Sequence, residues 1–171
     1  MAIITKKVIT DLARAAPYLI RWSMWLPFGC SLKLHQIVRP DDDRCMHDHP
    51  WWFLRIILWG GYTEDVRHAF ELNETAWMLD VYTETCVRKP WRPWAPWRIY
   101  WCPSNFAHRI TKLTNGRSSW SLVLCGPRSQ EWGFFTRSGW VAWREFVNAA
   151  WSKRVLWCED GRVLNEEGKD L

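Results

Sequence analysis

The stretch Cys45-Met46-His47-Asp48-His49-Pro50-Trp51-Trp52 opens an apolar run, Trp52 to Trp59, that Gly60-Gly61 brings to a stop. Such a run, bounded by turn residues, reads as a buried β-strand. In the extended segment before it, residues two apart project to the same side, so His47 and His49 can present both imidazoles to one ion. Imidazole is a good ligand for zinc, iron, nickel or copper. A third imidazole must come from elsewhere in the chain. The best candidate is His108, which follows Pro103-Ser104-Asn105-Phe106-Ala107 and begins another strand-like segment. His35 and His68 have no comparable context and read as structural or surface residues.

Working outward, further strands are expected at Leu32–Val38, Trp77–Thr83, Trp97–Trp101, Ala107–Leu113, Trp120–Leu124 and Glu131–Thr136. Each is bounded by Pro, Gly, Asn or Ser. Many short strands at this spacing indicate a sandwich or barrel, so the fold class is mainly β. Before them, Thr5 to about Trp22 is expected to be helical, because Leu12, Ala15, Ala16, Leu19 and Ile20 recur at helical spacing, with Pro17 kinking or dividing the helix. Trp140 to Trp151 is expected to form a short C-terminal helix, and the chain from Asp160 onwards to be a polar tail. The segment from Lys89 to Trp97 is too rich in Pro and Trp for regular structure. A chain of 171 residues without repeats or linkers is expected to be one domain: a lead-in over 1–30, a barrel over 31–145, and a helix and tail over 146–171.

With these motifs in view, the chain resembles the cupin superfamily. Cupins carry H-x-H, then a strand and a glycine, and later P-x-G-x-x-H. Here stand His47-Asp48-His49, Gly60-Gly61, and Pro103-x-Asn105-x-x-His108. The match covers roughly the middle of the chain. It implies a jelly-roll β-barrel with His47, His49 and His108 as metal ligands on its inner face. Asn105 replaces the family's glycine, a mild departure because Asn also tolerates left-handed backbone. Many cupins add a Glu four or five residues after the second histidine, where this chain has Phe53 and Leu54. The resemblance therefore implies a three-histidine site, as in the thiol dioxygenase branch. Glu64 is a replacement ligand only if the chain brings it back from beyond the Gly-Gly turn. Trp120 to Cys125, with Gly126-Pro127-Arg128 and the Trp-rich segment to Trp143, is also similar to uncharacterised cupin-like proteins of bacteria and their phages.

Three neutral ligands leave a divalent ion its full charge and open positions. Fe2+ is the cofactor the resemblance favours, with Zn2+, Ni2+ or Mn2+ as alternatives. The implied activity is a metal-dependent enzyme, first a non-haem iron oxygenase, with metal-assisted hydrolysis of a phosphoester or nucleotide as second reaction type. A rival reading is a non-catalytic protein that sequesters a small nucleotide-like ligand, as a phage protein acting against host signalling would. A structural barrel is a third.

Composition narrows the partners. Hydrophobic residues make up 48% and charged residues 24%, which excludes a disordered chain. The net charge of +5 favours small anionic ligands, while the scattered basic residues give no tract for a long nucleic acid. Arg55, Arg98 and Arg109 lie on candidate strands, where they either grip an anion inside the barrel or serve as surface charge. Trp51 and Tyr62 are the accompanying ligand-binding candidates. Sixteen Trp are more than a core this small absorbs, so some are expected to line a cleft or a contact with a second copy of the chain. The six cysteines form no C-x-x-C pair, Met1–Thr10 carries two lysines and no cleavage signal, and no apolar run is long enough to span a bilayer. Free thiols and a cytoplasmic location are the expectation.

Overall fold

Alternation of buried and half-exposed residues organises the larger sheet. In β3 (Ser31–Ile37) the buried positions are Ser31, Lys33 and Ile37; in β9 (Ser119–Cys125) they are Ser119, Ser121, Val123 and Cys125; in β4 (Phe53–Trp59) they are Phe53, Arg55 and Ile57. A period of two puts each of these sets on one face of its strand. The structure, a computed structural model, describes residues 3–10, 16–41, 45–73, 76–87, 99–114, 116–151, 156–159 and 163–164. Its larger sheet has the order β1-β2-β3-β9-β4-β7, with β1 at Ile4–Thr10, β2 at Pro17–Trp25 and β7 at Ile99–Cys102; every pairing is antiparallel.

A second antiparallel sheet has the order β6-β5-β8, from β5 (Gly61–Asn73), β6 (Ala76–Val87) and β8 (His108–Leu113). Gly60 and Gly61, at φ 68 and 153, carry the chain from β4 in the first sheet to β5 in the second. Those backbone angles suit glycine and explain why the apolar run stops there. Side chains of both sheets meet in one core, which includes Ile37, Phe53, Ile57, Tyr62, Tyr100, Ile110 and Val123. The architecture is mainly β, two antiparallel sheets packed on one core.

The C-terminal region adds the hairpin β10–β11 (Gly133–Thr136, Gly139–Ala142), the helix α1 (Trp143–Trp151) and the short strands β12 (Leu156–Trp157) and β13 (Val163–Leu164). A smaller core of Cys45, Phe134, Phe146 and Cys158 fastens this region to the barrel, with the Phe134 and Phe146 rings stacked at 3.9 Å. No helix among the described residues is long and apolar enough to cross a membrane.

Three expectations are corrected. The N-terminal helix is instead the strand pair β1 and β2, with Ile4 opposite Met24 and Val8 opposite Ile20. Ile4, Thr5, Val8, Ile9 and Thr10 are β-branched, and Pro17 is tolerated as the first residue of a strand, so pairing outweighs the helical spacing of a few Leu and Ala. Gly61–Asn73 is a strand where none was expected, because the inward positions of Tyr62-Thr63-Glu64-Asp65-Val66 include a carboxylate that breaks the apolar alternation. Finally, the thiols are not all free. Cys45 and Cys158 form a disulfide across a sequence separation of 113, whereas Cys30, Cys102 and Cys125 form no disulfide. The fold, not spacing, brings these two distant cysteines to a Cα separation of 5.2 Å, and the argument from reduced thiols to the cytoplasm falls with it.

Candidate metal centre

The histidines come together because the segment before β4 runs beside the start of β8. His47 and His108 exchange both backbone hydrogen bonds, each N–H donating to the other's carbonyl at 3.1 Å. His49 N–H donates to Ser104 O at 3.1 Å, and the Gln130 side-chain amide donates to His49 O and Ser104 O at 2.9 and 3.1 Å. These bonds hold the H-x-H segment extended, so His47 and His49 share a side. Asp48, between them, points away: it accepts from Gly133 N–H at 2.7 Å and from Trp140 Nε1 at 3.0 Å. The motif thus sends its imidazoles to the site and its carboxylate to the C-terminal hairpin.

His47, His49 and His108 place one ligand nitrogen each within 4.8 Å of the others. Their ring centroids lie 5.1–5.3 Å apart. Asp41 Oδ2 stands 3.8 Å from His47 Nδ1. The neighbourhood is aromatic: His49 sits edge-on to Phe53 at 4.7 Å, His108 lies 5.2 Å from Phe106, and His47 lies 5.7 Å from Phe134 and 6.2 Å from Trp132.

Glu64 is fully buried and is absent from the cluster of ligand atoms. Its Oε2 lies 2.5 Å from His108 Nδ1, and the Arg55 guanidinium pairs with both carboxylate oxygens. Burial by itself would raise the Glu64 pKa, but Arg55 and His108 together hold the carboxyl well below the usual carboxylate range. An ionised Glu64 only accepts, so His108 Nδ1 carries the proton and its Nε2 is left with the lone pair a metal needs. Burial, followed by the adjacent His108 and His47 and by Arg55, pushes the His49 pKa well below its ordinary value, so that imidazole is neutral.

The donor set fits a transition metal. His49 Nε2 is buried and makes no hydrogen bond, a costly arrangement for a polar atom unless something occupies its lone pair. His108 has its tautomer set by a carboxylate, as metal-binding histidines usually do.

The structure also places the other residues singled out from sequence. Arg55 is inside the barrel, 2% exposed, bonded to Glu64 and to the Tyr62 hydroxyl at 3.1 Å. Arg109 is buried beside Asp65, at 2.8 Å. Trp51 packs against the main core beneath the Lys33 ammonium, which lies 3.5 Å from its ring centroid. Arg98 and the Trp of 91–97 lie outside the described residues. Asn105 needs no left-handed backbone: Phe106 N–H closes the turn onto Pro103 O at 3.0 Å, and Phe28 is the non-glycine residue with positive φ among those described. Sequence reasoning weighed Glu64 only as a metal ligand and missed Asp41, Trp132 and Phe134. The inward period of Tyr62, Glu64 and Val66 was the available signal for Glu64.

The site class is thus a cluster of three imidazoles, His108 buried and His47 and His49 half-buried, carried by two antiparallel sheets. No protein-family model and no curated sequence matches it. Among solved structures it is similar to a cupin-2 domain from Rhodospirillum rubrum (TM-score 0.46, 10% identity, 81% of this chain and 78% of that one). It is also similar to a structure reported for the DMSP lyases RdDddP and RnDddQII (TM-score 0.45, 12% identity, 77% and 62%). A third is FeII HppE (TM-score 0.42, 10% identity), of which the aligned part is 56% and of this chain 72%.

Proposed function

We propose that this chain is a metal-dependent enzyme of the cupin type, acting on a small anionic molecule, with Fe(II)-dependent oxidation as the first reaction to test. The observation that carries the reading is the Arg55–Glu64–His108 relay behind three converging imidazoles. A buried carboxylate that fixes the tautomer of one histidine is the usual support of a metal ligand, and a purely structural core has no need of it. His47, His49 and His108 would hold the ion. With three neutral ligands its charge is undiminished, so when bound it supplies Lewis acidity and, for iron, redox chemistry.

The remaining chemistry belongs to the chain. Glu64 keeps the proton on His108 Nδ1, and Arg55 neutralises Glu64 so that its charge is tolerated inside the barrel. Phe53, Phe106 and Phe134 pack against the imidazoles, and this apolar lining strengthens the electrostatic contacts there.

The test is elemental analysis of purified protein, wild type beside His47→Ala and His108→Ala. About one equivalent of metal in the wild type and loss in both variants is expected. Oxygen uptake and product mass with candidate organic acids and phosphoesters then separate oxidation from hydrolysis. A wild type that takes up no divalent metal even when supplied with excess Fe(II), Zn(II), Ni(II) and Mn(II) would leave a non-catalytic binder as the reading.

A further inference from the structure

The inner face of the larger sheet carries a second cluster, away from the histidines. Arg21 on β2 is the register partner of His35 on β3, and Lys33 lies two residues before His35 on the same face. Such diagonal neighbours are within reach of long side chains. Lys33 is 4% exposed. Arg21 Nε and His35 Nε2 are buried and make no hydrogen bond.

Among the described residues no carboxylate pairs with these groups. There Arg21 feels Tyr18 and the Cys125 thiol, Lys33 feels Cys125 and Arg21, and His35 feels only the two cations. Cys125 shares a hydrogen bond with Lys33, but burial raises its pKa, so it is a neutral thiol and no counter-ion. Arg55 and Arg109 differ sharply: each has a carboxylate within hydrogen-bond distance, from Glu64 and Asp65. Two cations without an anionic partner among the described residues, Lys33 buried and Arg21 half-buried, are a standing cost. The economical arrangement is an anion between them.

We propose that Arg21, Lys33 and His35 form an oxyanion-binding subsite inside the barrel, which takes the carboxylate or phosphate group of a small molecule. Arg21 supplies a guanidinium fork, Lys33 a point charge, and the neutral His35 a ring N–H. The subsite shares a wall with the metal centre. Lys33 rests on Trp51, two residues from His49, and Cys125 is the register partner of Phe53, against which His49 packs. An anion held there directs the rest of the molecule towards the histidines. That last link rests on the proposed function; the subsite itself does not.

The experiment uses metal-stripped protein in low-salt buffer, titrated separately with inorganic phosphate and with acetate, read by calorimetry and by thermal midpoint. The wild type and His108→Ala are expected to bind one or both anions and to gain midpoint. Lys33→Met and Arg21→Met are expected to bind about tenfold more weakly or worse. In anion-free buffer Lys33→Met is expected to melt no lower than wild type, because it removes an uncompensated buried charge. The subsite is overturned if neither anion binds the wild type, if binding survives both cation substitutions, if His108→Ala abolishes it, or if Lys33→Met and Arg21→Met fail to fold. Metal content is measured on the same samples, so loss of the metal reading and loss of the anion subsite are separate results.

Discussion

Glu64 Oε2 and His108 Nδ1 lie 2.5 Å apart although 44 positions separate them in the chain. The contact exists because β5 and β8 are antiparallel neighbours, with Val66 opposite His108 and Glu64 opposite Ile110. Behind Glu64 stands Arg55 on the other sheet, so one ion pair links both sheets to the His108 imidazole.

Glu64→Gln is therefore expected to weaken metal binding by about 10- to 100-fold, since the amide no longer fixes the His108 tautomer. It also leaves Arg55 buried without its charge partner, at a cost of about 3–5 kcal/mol. Chelator competition measures the first effect and urea unfolding the second. Metal affinity equal to wild type would remove Glu64 from the site.

The disulfide predicts both a labelling pattern and a stability change. Alkylation of oxidised, denatured protein should modify Cys30, Cys102 and Cys125 and spare Cys45 and Cys158. Replacing the pair by Ser is expected to cost about 2–5 kcal/mol, because a long loop gains freedom in the unfolded chain. Labelling of Cys45 and Cys158 at the same rate as the others contradicts the bridge.

Gly126 packs directly on Trp52. A Cβ added there would come 2.2 Å from the indole, and Trp52 is itself stacked on Trp101 at 5.2 Å. Gly126→Ala is expected to cost about 1–3 kcal/mol and to change the near-ultraviolet circular dichroism of the Trp pair. A variant with wild-type stability and spectrum shows that the loop gives way freely.

Lys33 makes stability depend on pH in anion-free buffer. Burial is the main cause that lowers its pKa from 10.5 to about 8. Between those values the unfolded chain holds a proton that the folded chain does not, so raising the pH favours the fold. Below about pH 8 the penalty for burying the charged amine is fully present, and it fades as the pH approaches 10.5. The stability of wild type relative to Lys33→Met should therefore rise through that window, as chemical unfolding at several pH values can check. A difference that stays flat places the Lys33 ammonium in water.

What was legible in the sequence follows from short-range rules. The strands β3, β4, β8 and β9 announce themselves because apolar residues and turn residues delimit them locally. The pair His47 and His49 is legible because two-residue periodicity needs only an extended backbone, and His108 because its approach resembles a known motif. The N-terminal strands were not legible. Their pairing partner, β3, supplies the deciding energy, and helical spacing of Leu and Ala looks the same until that partner is present.

The site divides in the same way. Sequence by itself pointed to the imidazoles that converge, His47 and His49 through strand geometry and His108 through a resemblance of motif. Only the tertiary structure decided which charges are matched and which are not. Arg55 and Arg21 look alike in sequence as basic residues on strands. One meets Glu64 across the barrel, and the other meets His35 and Lys33. The physical reason is that Coulomb pairing inside a protein depends on distance through a low-dielectric interior, and distances between strands of two sheets are set by topology that local periodicity does not carry. The disulfide follows the same logic: six cysteines without a motif allow many pairings, and only the docking of the C-terminal segment on Phe134 and Phe146 selects Cys45 with Cys158.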